Sequence, residues 1–187
     1  MLARINKELI GNKNLIANAI GFQLVWFICV QGNNLNAALA AIVLISLHQF
    51  IFKLKLNAWP VLVAFSLLGY LGDSVIAIIF HLDYSDNLNP LAPLWLLSLW
   101  LGFATTLNHS MQWLFKTSYL TTFIALFIVP ISYFAGIELS GSRFNSPINN
   151  QIPYWLFFIA EGVWWATLLL GYKKLTTSQQ ISEVNHV

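Results

Sequence analysis

Apolar residues run along this chain in long, nearly unbroken blocks, and polar residues are confined to short gaps between them. A hydrocarbon core of about 30 Å takes about 20 mostly apolar residues to cross as a helix. Six blocks reach or approach that length, at residues 15–31, 37–52, 59–80, 93–115, 119–139 and 153–172. The pattern predicts an all-α polytopic membrane bundle with six transmembrane helices in one domain over residues 1–174. A polar, disordered cytoplasmic tail is expected over 175–187. The gaps carry turn formers, as in Gln31-Gly32-Asn33-Asn34 and Asp83-Tyr84-Ser85-Asp86-Asn87. Pro93 and Pro153 stand at first helical turns, where a missing N–H costs little. Pro130 falls inside the fifth block and should kink it.

The few polar positions inside these blocks carry the functional information, because a polar group in hydrocarbon is costly unless it is paired or hydrated. In the fourth block Ser98, Gly102, Thr105, Asn108, His109, Gln112 and Lys116 recur at three- and four-residue steps. That spacing predicts one polar helix face turned toward other helices. The third block repeats the pattern through Ser66, Tyr70, Asp73 and His81, and the sixth through Tyr154, Glu161, Trp165 and Tyr172. Counting depth at about 1.5 Å per residue gives two polar layers. One holds Asn18, His48, Gln49, Asn108 and His109; the other holds Asp73, Glu161 and Tyr133.

Asp73 and Glu161 are the candidate acid/base pair. Two ionised carboxylates at short range in low dielectric repel strongly, so a close pair shares a proton and can relay it or act as general acid and base. Thr105, Asn108, His109, Gln112, Tyr133 and His48 are the candidate substrate-binding residues, with His109 and Asn108 orienting a polar headgroup. The competing reading makes all of these interhelical hydrogen-bond clips.

Composition and charge sharpen the class. Charged residues are 9% of the chain and hydrophobic ones 58%, which excludes an ordinary soluble enzyme and a disordered chain. Arg4, Lys7, Lys13, Lys53, Lys55, Lys116, Lys173 and Lys174 would all lie on one side of the membrane, and only Arg143 on the other. The positive-inside rule then places both termini in the cytoplasm. A net charge of +2 gives no ground for nucleic-acid binding. The single cysteine, Cys29, has no adjacent base and reads as packing. No zinc spacing, nucleophile elbow or phosphate loop is present, so neither a metal nor a cofactor is expected.

The run Ala92-Pro93-Leu94-Trp95, continuing into Phe103-Ala104-Thr105-Thr106-Leu107-Asn108-His109-Ser110, resembles a bacterial integral-membrane family of unknown function. Gly69-x-x-Gly72-Asp73-Ser74 and Pro130-Ile131-Ser132-Tyr133-Phe134-Ala135-Gly136 strengthen the resemblance, which spans residues 15–172. It implies a Gram-negative inner-membrane protein and brings no known activity or catalytic residue. The expected function is binding of, or action on, a lipid-like or small amphipathic molecule in a polar intramembrane cavity. The expected partners are membrane lipids and a membrane protein. A small proton-coupled transporter and a non-catalytic scaffold subunit are the alternatives.

Overall fold

A computed structural model describes residues 2–31, 33–54, 56–84, 91–145 and 153–185. The fold is all-α. In chain order it comprises α1 (Leu2–Val30), α2 (Asn34–Phe52), α3 (Trp59–Ile79), α4 (Leu94–Leu107), α5 (Ser118–Phe123), α6 (Val129–Ser140) and α7 (Trp155–Asn185). A π-helical turn, Ile124–Ile128, joins α5 to α6 into one apolar span, Ser118–Ser140. Among the described residues five helical spans are long and apolar enough to cross a membrane. Large apolar side chains such as Ile16, Ile20 and Leu24 stand exposed along one face of α1, as suits contact with lipid. The opposite face buries Asn18, Val25 and Cys29.

The fourth expected span departs from the sequence pattern. Its α-helix ends at Leu107 after 14 residues, about 21 Å of rise, and is too short by itself to span the bilayer. The hydroxyls of Thr105 and Thr106 bond back to the carbonyls of Gly102 and Phe103. The N–H groups of His109 and Met111 both reach the Thr106 carbonyl, closing a turn that a 3₁₀ segment, Gln112–Phe115, follows. The helix gives way here to turns closed on the Thr106 carbonyl. The proposed single polar face through Gln112 therefore does not form as one helical stripe.

Two further differences concern the second half. Pro130 stands at the start of α6, immediately after the π turn. Its ring cannot fit an ordinary i→i−4 turn, and the wider π turn accommodates it. The polar segment beyond Leu175, expected as a tail, continues α7 as helix through Asn185. Thr176 and Thr177 hydroxyls cap carbonyls one turn back within that stretch. Residues 186–187 lie outside the described residues.

The chain divides into two compact units. The first comprises Met1–Tyr70 and Pro93–Trp113, and the second Leu71–Ala92 and Leu114–Val187. In the first, α1, α2 and α4 pack on one another. Phe65, Trp100 and Phe103 interlock there edge to face or stacked. A Cβ on Gly69 would overlap the Trp100 indole, so glycine at this position lets α4 lie against α3. In the second, α7 packs on the π turn, α5 and α6. A two-residue antiparallel ladder pairs Leu82 with Phe144 and Asp83 with Arg143. Asn145 closes it, donating its N–H to the His81 carbonyl and its amide to Asp83.

Candidate functional site

Each unit buries one polar cluster. In the first unit the cluster is built on Asn18 of α1, 5% exposed, and His48 of α2, 2% exposed. The Asn18 amide nitrogen lies 3.4 Å from the Thr105 carbonyl and 3.4 Å from His48 Nδ1. A carbonyl can only accept, so the atom facing it is the NH₂ group. The same NH₂ then donates to His48 Nδ1, and the proton of neutral His48 resides on Nε2. Ser110 Oγ donates to Asn18 Oδ1 at 2.6 Å and fixes the amide in this orientation.

His109 comes to the same place from the turn after α4. Its ring centroid is 4.8 Å from that of His48, and Phe52 stacks on it at 3.8 Å. Trp59 meets His48 edge to face. His48 Nε2 and His109 Nε2 are both buried without a hydrogen-bond partner. The inner layer expected from depth counting is thus assembled from Asn18, His48 and His109, with two adjustments. Thr105 contributes its carbonyl, since its hydroxyl is turned back to Gly102. Gln112 is exposed and Gln49 bonds the Leu54 carbonyl, so neither enters the cluster. Asn108 caps α4. Ser110, which closes the network, was missed as a candidate, although it directly follows His109 in the sequence.

In the second unit the cluster is acidic. Asp73 of α3 and Glu161 of α7 are both fully buried. Trp165 Nε1 donates to Tyr133 Oη at 3.0 Å. Tyr133 Oη in turn donates to Asp73 Oδ2 at 2.5 Å. An indole N–H can only donate, so the direction of this chain is set: Trp165 to Tyr133 to Asp73. Glu161 lies within electrostatic and hydrogen-bonding range of both Asp73 and Tyr133. Neither Glu161 oxygen makes a hydrogen bond of good geometry.

Apolar and aromatic groups enclose this cluster. Phe157 is fully buried, with its ring 6.1 Å from that of Tyr133. Gly72 precedes Asp73, and a Cβ there would overlap the Trp164 indole, whose Nε1 is buried without a partner. Depth counting placed Asp73, Glu161 and Tyr133 in one layer, and the fold brings all three together. Trp165 stands on the stripe that the sixth block predicts with Glu161, although it was not among the candidate site residues. Trp164 leaves no comparable signal, because its partner Gly72 has no side chain to show a pattern.

Among the described residues no group of three or more His, Cys, Asp or Glu is arranged to hold a metal ion.

Residues 15–171 match a family described as a protein of unknown function, DUF2878. The chain belongs to this family. The match covers nearly all of the membrane-spanning part, with limits close to those implied by the A-P-L-W and F-A-T-T-L-N-H-S blocks. No curated protein and no solved structure matches the chain.

Proposed function

We propose that this member of the family is a bacterial inner-membrane protein, with both termini cytoplasmic, that binds or acts on a lipid-like or small amphipathic molecule at the buried acidic cluster of its second unit. One observation carries the reading: Glu161 is fully buried beside Asp73, and neither of its carboxyl oxygens makes a hydrogen bond of good geometry. A carboxyl group that serves only to hold helices together is expected to spend its hydrogen bonds on its neighbours. Asp73 does so through Oδ2, the acceptor end of the Trp165–Tyr133 chain. Glu161 then keeps hydrogen-bonding capacity that a ligand's polar group can take up. The surrounding Phe157, Tyr133 and Trp165 rings suit that ligand's apolar part.

In this role Asp73 and Glu161 are the acid/base candidates, and Tyr133 sets the protonation pattern between them. His48 and His109 form a second polar site in the other unit, suited to orienting a headgroup oxygen through the His48 Nε2–H. The test is mass spectrometry of organic extracts from purified wild type, Asp73→Asn and Glu161→Gln. Wild type should retain a defined amphiphile that both variants lose while melting near the wild-type temperature. The same extract from all three proteins would sink the reading.

A proton-coupled carrier is the second reading. The π turn ahead of Pro130 favours it, because it interrupts the span that bears Tyr133, and interrupted helices recur at transport sites. Proton uptake by vesicles containing the protein, abolished by Glu161→Gln, would select this reading over binding alone.

A further inference from the structure

A second site lies at the polar end of α7, away from the acidic cluster. Ser118, Leu170, Lys173, Lys174, Thr177 and Ser178 line a groove of about 500 Å³. The volume falls in the range of small-molecule sites. Its lining holds two ammonium groups and three hydroxyls, and no acidic residue. Lys173 Nζ donates to Ser118 Oγ at 3.2 Å, which fixes the ammonium against the start of the α5 span and leaves two of its N–H groups and the serine proton for a ligand. Thr177 donates to the Lys173 carbonyl one turn back on α7.

The depth of the groove identifies its occupant. The apolar span of α7, Trp155–Ser178, has 24 residues. At about 1.5 Å per residue it is roughly 36 Å long, about 6 Å more than the hydrocarbon core. Its last turns carry Lys173 and Lys174, which are costly in hydrocarbon, and so stand among lipid headgroups. The neighbouring span, Ser118–Ser140, starts at a groove residue, so two separate spans change from apolar to polar at this level. Leu170 forms the apolar side, where an acyl chain would begin. An anion with an attached apolar tail satisfies every wall of the groove.

We infer that this groove is a binding site for the phosphate of an anionic phospholipid headgroup, with Lys173, Lys174 and Ser118 as its donors. Basic pockets beside transmembrane helices recognise anionic lipids by the same chemistry. The site is independent of the acidic cluster, and the reading given to that cluster can fail without it.

The full chain, reconstituted in vesicles of equal parts phosphatidylcholine and phosphatidylglycerol, tests this inference. Electron spin resonance of a spin-labelled phosphatidylglycerol would report the lipid held on the protein. Wild type should select the labelled phosphatidylglycerol over its phosphatidylcholine counterpart by about tenfold, and the Lys173→Gln/Lys174→Gln double variant should bring the ratio close to unity. Lys53→Gln, a cation outside the groove, should leave the selection intact. The inference is overturned if wild type shows no selection, if the double variant keeps it, or if Lys53→Gln lowers it as much as the double variant does. Displacement of the labelled lipid by equimolar glycerol phosphate would equally overturn a lipid as the occupant.

Discussion

The phenol oxygen of Tyr133 lies 2.5 Å from a carboxylate oxygen of Asp73, joining residues 60 positions apart in the chain. The bond orders the whole acidic cluster. Tyr133 receives the Trp165 N–H and passes its own O–H to Asp73, so Asp73 Oδ2 is a fixed acceptor, while neither Glu161 oxygen makes a hydrogen bond of good geometry. Removing the phenol should therefore alter the carboxyl pair as well as the packing. Tyr133→Phe is expected to destabilise the protein by roughly 1 kcal/mol in a detergent unfolding measurement. In a double-mutant cycle with Asp73→Leu the two losses should not add, because both changes remove the same bond. Additive losses would show that the bond contributes nothing.

The carboxyls themselves separate function from structure. Asp73→Asn keeps shape and hydrogen-bonding capacity but removes a titratable proton, so it should abolish the ligand response with little loss of thermal stability. Asp73→Leu should mainly lower stability, by about 1–3 kcal/mol, since it leaves the Tyr133 hydroxyl buried without its acceptor. A functional Asp73→Asn protein would return Asp73 to a purely structural role.

Gly72 and Trp164 make a steric prediction. A methyl at Gly72 overlaps the indole, so Gly72→Ala should cost about 1–3 kcal/mol, read as a fall in unfolding temperature. Trp164→Ala in the same chain should recover part of that loss by vacating the space. Lack of any rescue would mean that the two side chains do not meet.

His48 offers a spectroscopic check. The Asn18 amide faces both the Thr105 carbonyl and His48 Nδ1, which sets the ring proton on Nε2. Nitrogen-15 NMR of labelled protein should show His48 as the Nε2–H tautomer, and Asn18→Leu should relax it toward a mixture. Observation of an Nδ1–H His48 in the wild type would reverse the donor assignments of that cluster.

Membrane topology is decided by α4. Termini on one side require an even number of crossings, and the other described spans number five. If the chain follows the charge asymmetry, the short α4 with its continuing 3₁₀ segment must complete the sixth crossing. Reporter fusions at the C-terminus should read cytoplasm, and fusions near Asn87 periplasm. A periplasmic C-terminus would limit α4 to a segment that does not cross.

Much of this architecture was legible along the chain. Helix and lipid exposure follow from local composition, because backbone groups in hydrocarbon must be bonded within their own segment. Polar residues at three- and four-residue steps face inward for the same reason, so Asp73, Glu161, His48 and His109 could be singled out from one dimension. Depth is additive along a helix, and that is why Asp73, Glu161 and Tyr133 could be assigned to one layer before their contact was seen. Tertiary structure decided which of these groups touch and in what hydrogen-bonding sense. The Tyr133–Asp73 bond, the Ser110–Asn18–His48 network and the Gly72–Trp164 fit all join positions 30 or more residues apart, where helical periodicity carries no information. The end of α4 at Leu107, in a turn closed on the Thr106 carbonyl, is likewise something hydropathy does not register.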